Sequence, residues 1–131
     1  LAEVLGLGPG VPPLLLTATE ALAVNLRQSE PFVLYHQAHD LLEADSQAQD
    51  LLKRLSATQS EVRGRQSRGK ITQNDIEKLR ALQSAAQANR ALMDYARTQQ
   101  SAIAYLREIN QEISQLLGVD FASLAKRPGC C

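Results

Sequence analysis

The chain has 131 residues, 44% of them hydrophobic, and a formal net charge of zero at pH 7. This length fits one domain, and the apolar content fills a modest core without a disulfide or a metal to staple it. No segment approaches the roughly 20 apolar residues of a membrane span, and the first residues lack the basic start of a secretory signal. We therefore expect a cytoplasmic protein.

The balanced total conceals an uneven distribution of charge. Residues 1–52 carry one base and seven acids, a net charge of −6, whereas residues 53–80 carry eight bases and three acids, a net charge of +5. Residues 81–131 carry five bases and four acids, which leaves +1. The acidic half and the basic segment can attract each other across an oligomer interface, or either can attract an outside partner.

The composition and the spacing of apolar residues predict an all-α protein. With five aromatic residues and no Trp, the core must consist mainly of Leu, Ile, Val and Ala, which suits packed helices. Residues 1–13 contain three Gly and three Pro and predict a flexible lead-in. Residues 14–131 then form a single helical domain, with a short tail from about residue 119 that ends in cysteines.

The first two helices follow from apolar periodicity and from one proline. A stripe of Leu and Ala predicts a first helix over Leu14–Gln28. Because proline is tolerated in a first helical turn, a second helix should begin near Pro31. Its expected buried residues are Phe32, Tyr35, Ala38, Leu41 and Leu42.

Capping residues predict the next boundaries. Asp45 is placed to cap a third helix that runs to about Gln66, and an exposed turn over Ser67–Lys70 follows. Thr72 with Asp75 three residues later resembles a capping box, so a fourth helix should start at Gln73. Asn89 is a plausible N-cap, and we therefore expect a break before the next helix rather than one continuous helix.

The stretch from Arg90 to Leu117 has the longest helical apolar period in the chain. At about 1.5 Å per residue this helix is roughly 42 Å long, more than a compact domain of this size needs. We therefore predict a multihelical antiparallel bundle of about five helices whose long C-terminal helix extends into a homo-oligomer, most simply a dimer. The predicted oligomer interface consists of Leu92, Tyr95, Gln99, Ile103, Leu106, Ile109, Ile113 and Leu117.

Cys130 and Cys131 are the reactive-looking residues of the sequence. Iron–sulfur clusters and structural zinc usually need four ligands, so a metal here requires thiols from more than one chain. The alternative is an exposed, functionally silent pair of thiols. His36 and His39 lie three residues apart on the second helix, but no third ligand accompanies them, and we expect packing histidines there.

The basic segment offers a nucleic-acid interpretation. Arg63, Arg65 and Arg68 are its candidate phosphate contacts. However, no aromatic residue interleaves these bases and no nucleic-acid motif is present. A solvated face, or a patch that meets the acidic half of a neighbouring chain, is therefore the preferred interpretation over direct nucleic-acid binding.

Several of these segments together resemble the YlbF/YmcA family of small bacterial helical proteins. The resemblance rests on the segments SEPF (29–32), LLEADSQAQDLL (41–52) and YLREINQEISQLLG (105–118), and on Tyr35, Ala38, Leu79, Leu82, Asn89 and Tyr95. It covers about residues 15–118. The resemblance implies a non-enzymatic protein that self-associates or joins related regulatory subunits.

The same resemblance implies a role in competence, sporulation and biofilm formation, and in messenger RNA processing by ribonuclease Y. It also implies an iron–sulfur cluster held by tail cysteines, here Cys130 and Cys131, and shared between chains. We therefore predict a regulatory or adaptor subunit that acts by binding proteins. The alternatives are a purely structural helical homo-oligomer with inert cysteines, and an RNA-contacting module that uses the basic hairpin over residues 53–80.

Overall fold

The computed structural model describes residues 10–125, and this range forms six α-helices without any strand. They are α1 (Pro13–Gln28), α2 (Glu30–Ala44), α3 (Ser46–Ser67), α4 (Gln73–Ala88), α5 (Arg90–Leu117) and α6 (Phe121–Leu124). The all-α prediction is confirmed, with α6 as a short helix beyond the five predicted. Most of the expected lead-in, residues 1–9, and the end of the tail, residues 126–131, lie outside the described residues.

Side chains at the helix starts explain where the chain breaks. The carboxylate of Asp45 accepts a hydrogen bond from the backbone N–H of Ala48, and the side-chain oxygen of Asn89 accepts one from Leu92, both at 3.0 Å. Each cap satisfies a backbone donor that the first turn of a helix leaves without a partner. The expected break before the long helix is therefore confirmed, and α4 and α5 are separate.

α5 ends at Leu117, where the predicted stretch ends, and Gly118 caps it. Its φ of 72° lies in the left-handed region, which a residue without a side chain adopts at little cost. From there its N–H donates to the carbonyl of Ser114 at 2.9 Å, which satisfies one of the last carbonyls of the helix. The chain then turns back so that α6 packs against α5.

Two antiparallel helix pairs form the body of the fold. α2 packs along α5, with Tyr35 beside Tyr95, and α3 packs along α4, with Arg65 beside Asp75. The pairs meet in a cluster of buried residues, Leu42, Ala48 and Leu92, which Leu51, Ala86, Ala91 and Tyr95 surround. No large side chain in residues 10–125 is fully buried, so this core is thin.

The prediction that both Leu41 and Leu42 are buried is wrong for Leu41. Leu42 is 4% exposed in the core, whereas Leu41 is 65% exposed. Successive residues of a helix point about 100° apart, and α5 covers the side of α2 that carries Ala38 and Leu42. Leu41 lies outside this contact and stays exposed.

None of the helices in residues 10–125 has the apolar length that crossing a bilayer requires.

Candidate functional site

Most of the exposed large apolar side chains in residues 10–125 lie on α1, on the second half of α5 and on the segment that follows it. None of the residues of α1 is buried. We use the name end surface for α1, the second half of α5 and α6, together with Val119. Its exposed large apolar side chains are Leu14, Leu15, Leu16, Leu22, Val24, Leu106, Leu116, Leu117, Val119, Phe121 and Leu124.

The lengths of the helices explain why this surface is uncovered. α5 has 28 residues and α2 has 15, so they are roughly 42 Å and 22 Å long. α5 therefore continues past the end of α2 and reaches the level of α1, whose main contact is with α2 rather than with α5. The second half of α5 consequently lacks the helix neighbour that covers its first half.

A groove of about 510 Å³ separates α1 from α5 within the end surface. Its lining is mostly apolar, and its polar residues are Gln111 and two acids, Glu108 and Glu112. The apolar lining residues are Leu22, Tyr105, Ile109, Ile113 and Leu116. A groove of this composition suits an inserted apolar side chain or an amphipathic helix better than a small polar substrate.

The predicted oligomer interface divides into two parts in the structure. Leu92 is 7% exposed and Tyr95 contacts α2, so these two residues serve the fold of their own chain. Gln99 and Leu106 are exposed, and Ile103, Ile109 and Ile113 are half-buried. With the exposed Leu117, the residues from Ile103 onwards are therefore those that remain available to a partner.

Two tyrosines, Tyr35 and Tyr95, meet at the junction between α2 and α5. The sequence predicts both residues on helices but does not predict that they pair. The hydroxyl oxygens of Tyr35 and Tyr95 lie 3.2 Å apart, and the ring centroids 5.5 Å apart. The hydrogen bond to Tyr35, and secondarily burial, raise the pKa of Tyr95 above its usual value of 10.0. This pair is a polar contact between α2 and α5.

His39 lies beside the same pair, as the expected packing role requires. Its ring centroid is 6.0 Å from that of Tyr95, and its Nε2 is 3.5 Å from a carboxylate oxygen of Glu43. His36 contacts the edge of Tyr35. No group of three or more metal-ligating side chains occurs within residues 10–125.

The capping box predicted at Thr72 is present and serves a second purpose. The Asp75 carboxylate accepts a hydrogen bond from the Thr72 backbone N–H at 3.0 Å, and Thr72 Oγ1 accepts one from Asp75 N–H at 3.2 Å. Asp75 also forms an ion pair with Arg65 of α3 and is 6% exposed. The hydrogen bonds to Thr72, helped by the Arg65 charge, lower the pKa of Asp75 below its usual 3.8.

Arg65 is therefore a structural residue of the α3–α4 hairpin rather than a free phosphate contact. Arg68 donates from Nε to the carbonyl of Gly64 at 3.2 Å and is exposed, and Arg63 is exposed as well. The three arginines named as nucleic-acid contacts are thus unequal, because the carboxylate of Asp75 already neutralises one of them.

Cys130 and Cys131, the predicted metal ligands, lie outside the described residues. Their thiols are the donor type that iron–sulfur clusters use, but one chain supplies half of the four ligands that a cluster needs. The metal prediction thus rests on the sequence alone.

Sequence reasoning missed the contribution of α1 to the exposed apolar surface. A signal was present in Leu14, Leu15 and Leu16, because three consecutive residues of a helix cover about 200° of its circumference and one neighbouring helix cannot cover them all. Phe121 and Leu124 are exposed as well, and the sequence carries no comparable signal for this, since their exposure depends on where α6 docks.

Comparison with known proteins agrees with this architecture. A model of the family described as "Control of competence regulator ComK, YlbF/YmcA" matches residues 15–117. Two UPF0342 proteins, from two strains of Lactobacillus delbrueckii subsp. bulgaricus, are each 27% identical to the chain over 106 residues. The alignment covers 80% of this chain and 91% of each relative.

The fold also matches a solved structure, the crystal structure of Bacillus subtilis RicA in complex with RicF. The match has a TM-score of 0.70 at 20% identity and covers 79% of this chain and 93% of the chain it matches. At this identity the similarity establishes the fold. Because the family model spans the chain from α1 to the end of α5, this protein belongs to the YlbF/YmcA family.

Proposed function

We propose that the protein is a non-enzymatic regulatory subunit that works by binding another helical protein through its end surface. The observation that carries this proposal is the contrast within α5, whose first half is covered by α2 and whose second half is not. Leu92 is 7% exposed, whereas Leu116 on the same helix is 85% exposed. An apolar surface of this kind, rimmed by polar residues, marks interaction sites in soluble proteins.

The partner we propose is a related helical subunit of the same family. The solved structure that shares this fold is a complex of two proteins, RicA and RicF, which supports an assembly function for the fold. The groove between α1 and α5 has a mostly apolar lining that includes two acidic residues, Glu108 and Glu112. We therefore expect the partner to insert an amphipathic helix that carries basic residues beside its apolar stripe.

The regulated process that we propose is the one that the family suggests. The family is described by the control of the competence regulator ComK. We extend this to development more broadly and to messenger RNA processing by ribonuclease Y, with the present chain as a protein adaptor rather than the nuclease. We also propose that Cys130 and Cys131 hold an iron–sulfur cluster together with thiols of another chain.

The assembly proposal is tested by co-expressing the full chain with each other family member encoded in the same genome. Size-exclusion chromatography with light scattering then reports complex formation. We expect a stable heteromeric complex with the natural sequence and its loss with Leu116→Asp, because a carboxylate replaces an apolar contact. Leu41→Asp is the matched control, since Leu41 is also exposed but lies on α2.

The control variant should form the complex as well as the natural chain does. Equal binding by the natural chain and by Leu116→Asp would show that the end surface is not the binding site. The absence of a complex with every family member tested would reject the proposed partner class.

A further inference from the structure

We propose that the turn end of the α3–α4 hairpin binds the phosphate backbone of a nucleic acid. This segment, residues 63–74, is here called the hairpin tip. It is distinct from the end surface, and its binding does not depend on the proposed contact with another helical protein. The sequence pattern by itself favours a solvated face for these bases, but the folded chain adds three observations that favour direct binding.

The first observation is the position of the hairpin tip, which projects from the body of the fold. Leu51 of α3 and Ala86 of α4 pack against the buried cluster, whereas α3 continues to Ser67 before the chain turns. At about 1.5 Å per residue, this places the tip roughly 24 Å along α3 from the core. Apart from Gly64, every residue of the tip is exposed. An extended ligand can therefore reach the tip from solvent.

The second observation is the chemistry that the tip presents. It contains four bases and no acid, and Ile71 is its one large apolar residue. Its other polar side chains are Gln66, Ser67, Thr72, Gln73 and Asn74. Arg, Lys, Ser, Thr, Asn and Gln side chains make most of the phosphate and sugar contacts in nucleic-acid complexes. A protein interface has an apolar centre instead, so the tip suits a phosphodiester backbone better than an acidic protein.

The third observation is that three of the four bases have donors to spare. The carboxylate of Asp75 neutralises Arg65, whereas Arg63 and Lys70 have no ion-pair partner within the described residues. Arg68 donates from Nε to the carbonyl of Gly64 at 3.2 Å, which leaves the N–H groups of its two terminal nitrogens free. A guanidinium held in this way can bind a phosphate with two parallel hydrogen bonds.

The shape of the tip is set before any ligand arrives. The backbone N–H of Lys70 donates to the carbonyl of Arg65 at 2.9 Å, and Gly69 turns the chain with a φ of 66°. Asp75 holds both Arg65 and the backbone N–H of Thr72. Because little of the tip has to become ordered on binding, less of the attraction to phosphate is lost to conformational entropy.

The same residues indicate that binding is independent of base sequence. The tip contains no aromatic side chain on which a base could stack, and it is a turn rather than a helix that could enter a major groove. Glu61 and Glu77 are exposed on the helices below the tip, and their carboxylates repel phosphate. We therefore expect moderate affinity that arises from charge and depends steeply on salt.

Fluorescence anisotropy of the full chain with a labelled RNA duplex, and with a DNA duplex of matching sequence, tests the proposal. Both duplexes present the same phosphodiester backbone, so binding of either one supports it. Three phosphate contacts predict that log K falls with log salt with a slope of about −2.7. Binding should therefore weaken by roughly 40-fold between about 50 and about 200 mM salt.

Variants locate the contact. Arg68→Gln should make the slope less steep by about 0.9, and a triple variant with Arg63→Gln, Arg68→Gln and Lys70→Gln should abolish binding. Glu77→Gln should strengthen binding, because it removes a repulsive charge. Lys53→Gln is the matched control, since Lys53 is an exposed base at the other end of α3. It should bind as the natural chain does, and circular dichroism should show equal helix content in all variants.

Three results would overturn the proposal. They are failure of both duplexes to bind at low salt, an equal loss of binding in Lys53→Gln and in Arg68→Gln, and binding of polyglutamate as tight as that of the duplexes, which would indicate an acidic protein as the ligand. A failure of the proposed function is distinguishable, because Leu116→Asp should still bind the duplexes and the triple variant should still form the heteromeric complex.

Discussion

Leu92 and Leu116 provide the sharpest test of the idea that one half of α5 serves folding and the other half serves assembly. Both are leucines on the same helix, but Leu92 is 7% exposed in the buried cluster and Leu116 is 85% exposed. We expect Leu92→Ala to destabilise the folded chain and Leu116→Ala to leave its stability nearly unchanged.

The expected cost of Leu92→Ala follows from the carbons removed. Three buried carbons at about 0.8 kcal/mol each give about 2.4 kcal/mol, to which any cavity left behind adds. Because Tyr95 and Ala91 border the cluster and are only partly buried, the site collapses readily, and we expect about 2–3 kcal/mol in total. For Leu116→Ala we expect a change within about 0.5 kcal/mol.

Urea unfolding monitored by circular dichroism measures both free energies of unfolding. The curves should be recorded at several protein concentrations, because association stabilises the folded state by mass action and would otherwise add to the difference. If Leu92→Ala is as stable as the natural chain, or if Leu116→Ala is as destabilised as Leu92→Ala, then α5 is not divided into a half that serves folding and a half that serves assembly.

Three further predictions concern the capping box, the tyrosine pair and the tail. Hydrogen bonding and Arg65 lower the pKa of Asp75, so the ionised carboxylate stabilises the fold above pH 3.8. This stabilisation is lost as the pH falls through the lower pKa that Asp75 has in the folded chain. Asp75→Asn should therefore flatten the acid limb of a curve of stability against pH. Because the pKa of Tyr95 is raised, the neutral phenol stabilises the fold below pH 10.0, and this stabilisation is lost as the pH rises through the higher pKa that Tyr95 has in the folded chain. In Tyr35→Phe, tyrosinate absorbance should develop at lower pH than in the natural chain. After anaerobic purification, the natural chain in its complex should contain iron and absorb visible light, and a Cys130→Ser, Cys131→Ser double variant should contain none; a colourless natural complex would contradict the cluster proposal.

Thr72→Ala is the control variant for the Asp75 experiment. Loss of the Thr72 side chain removes one cap hydrogen bond and should cost about 1 kcal/mol at neutral pH. It leaves the Arg65 ion pair in place, so part of the acid dependence should remain. An acid limb that is identical in the natural chain and in Asp75→Asn would show that other carboxylates dominate the response.

The sequence alone was sufficient for the five longer helices, α1 to α5, and for the breaks between them. Asp45, Thr72 and Asn89 cap helices because a short polar side chain reaches a backbone donor only two or three residues away, and Gly118 ends α5 because its own backbone adopts a left-handed conformation. These interactions lie within one turn of the chain, so local spacing reports them. The family resemblance over about residues 15–118 is also confirmed, because the family model matches residues 15–117.

Which face of each helix is covered was decided only by the tertiary structure. Leu41 and Leu42 are equivalent in the sequence pattern, and α5 selects one of them by the side on which it docks. In the same way, Arg65 and Asp75 lie 10 residues apart and Tyr35 and Tyr95 lie 60 apart, and each pair meets only when its helices align. Periodicity determines that a helix has an apolar stripe, but the covering of that stripe depends on the lengths and positions of the other helices. For this reason the end surface became visible only in the folded chain.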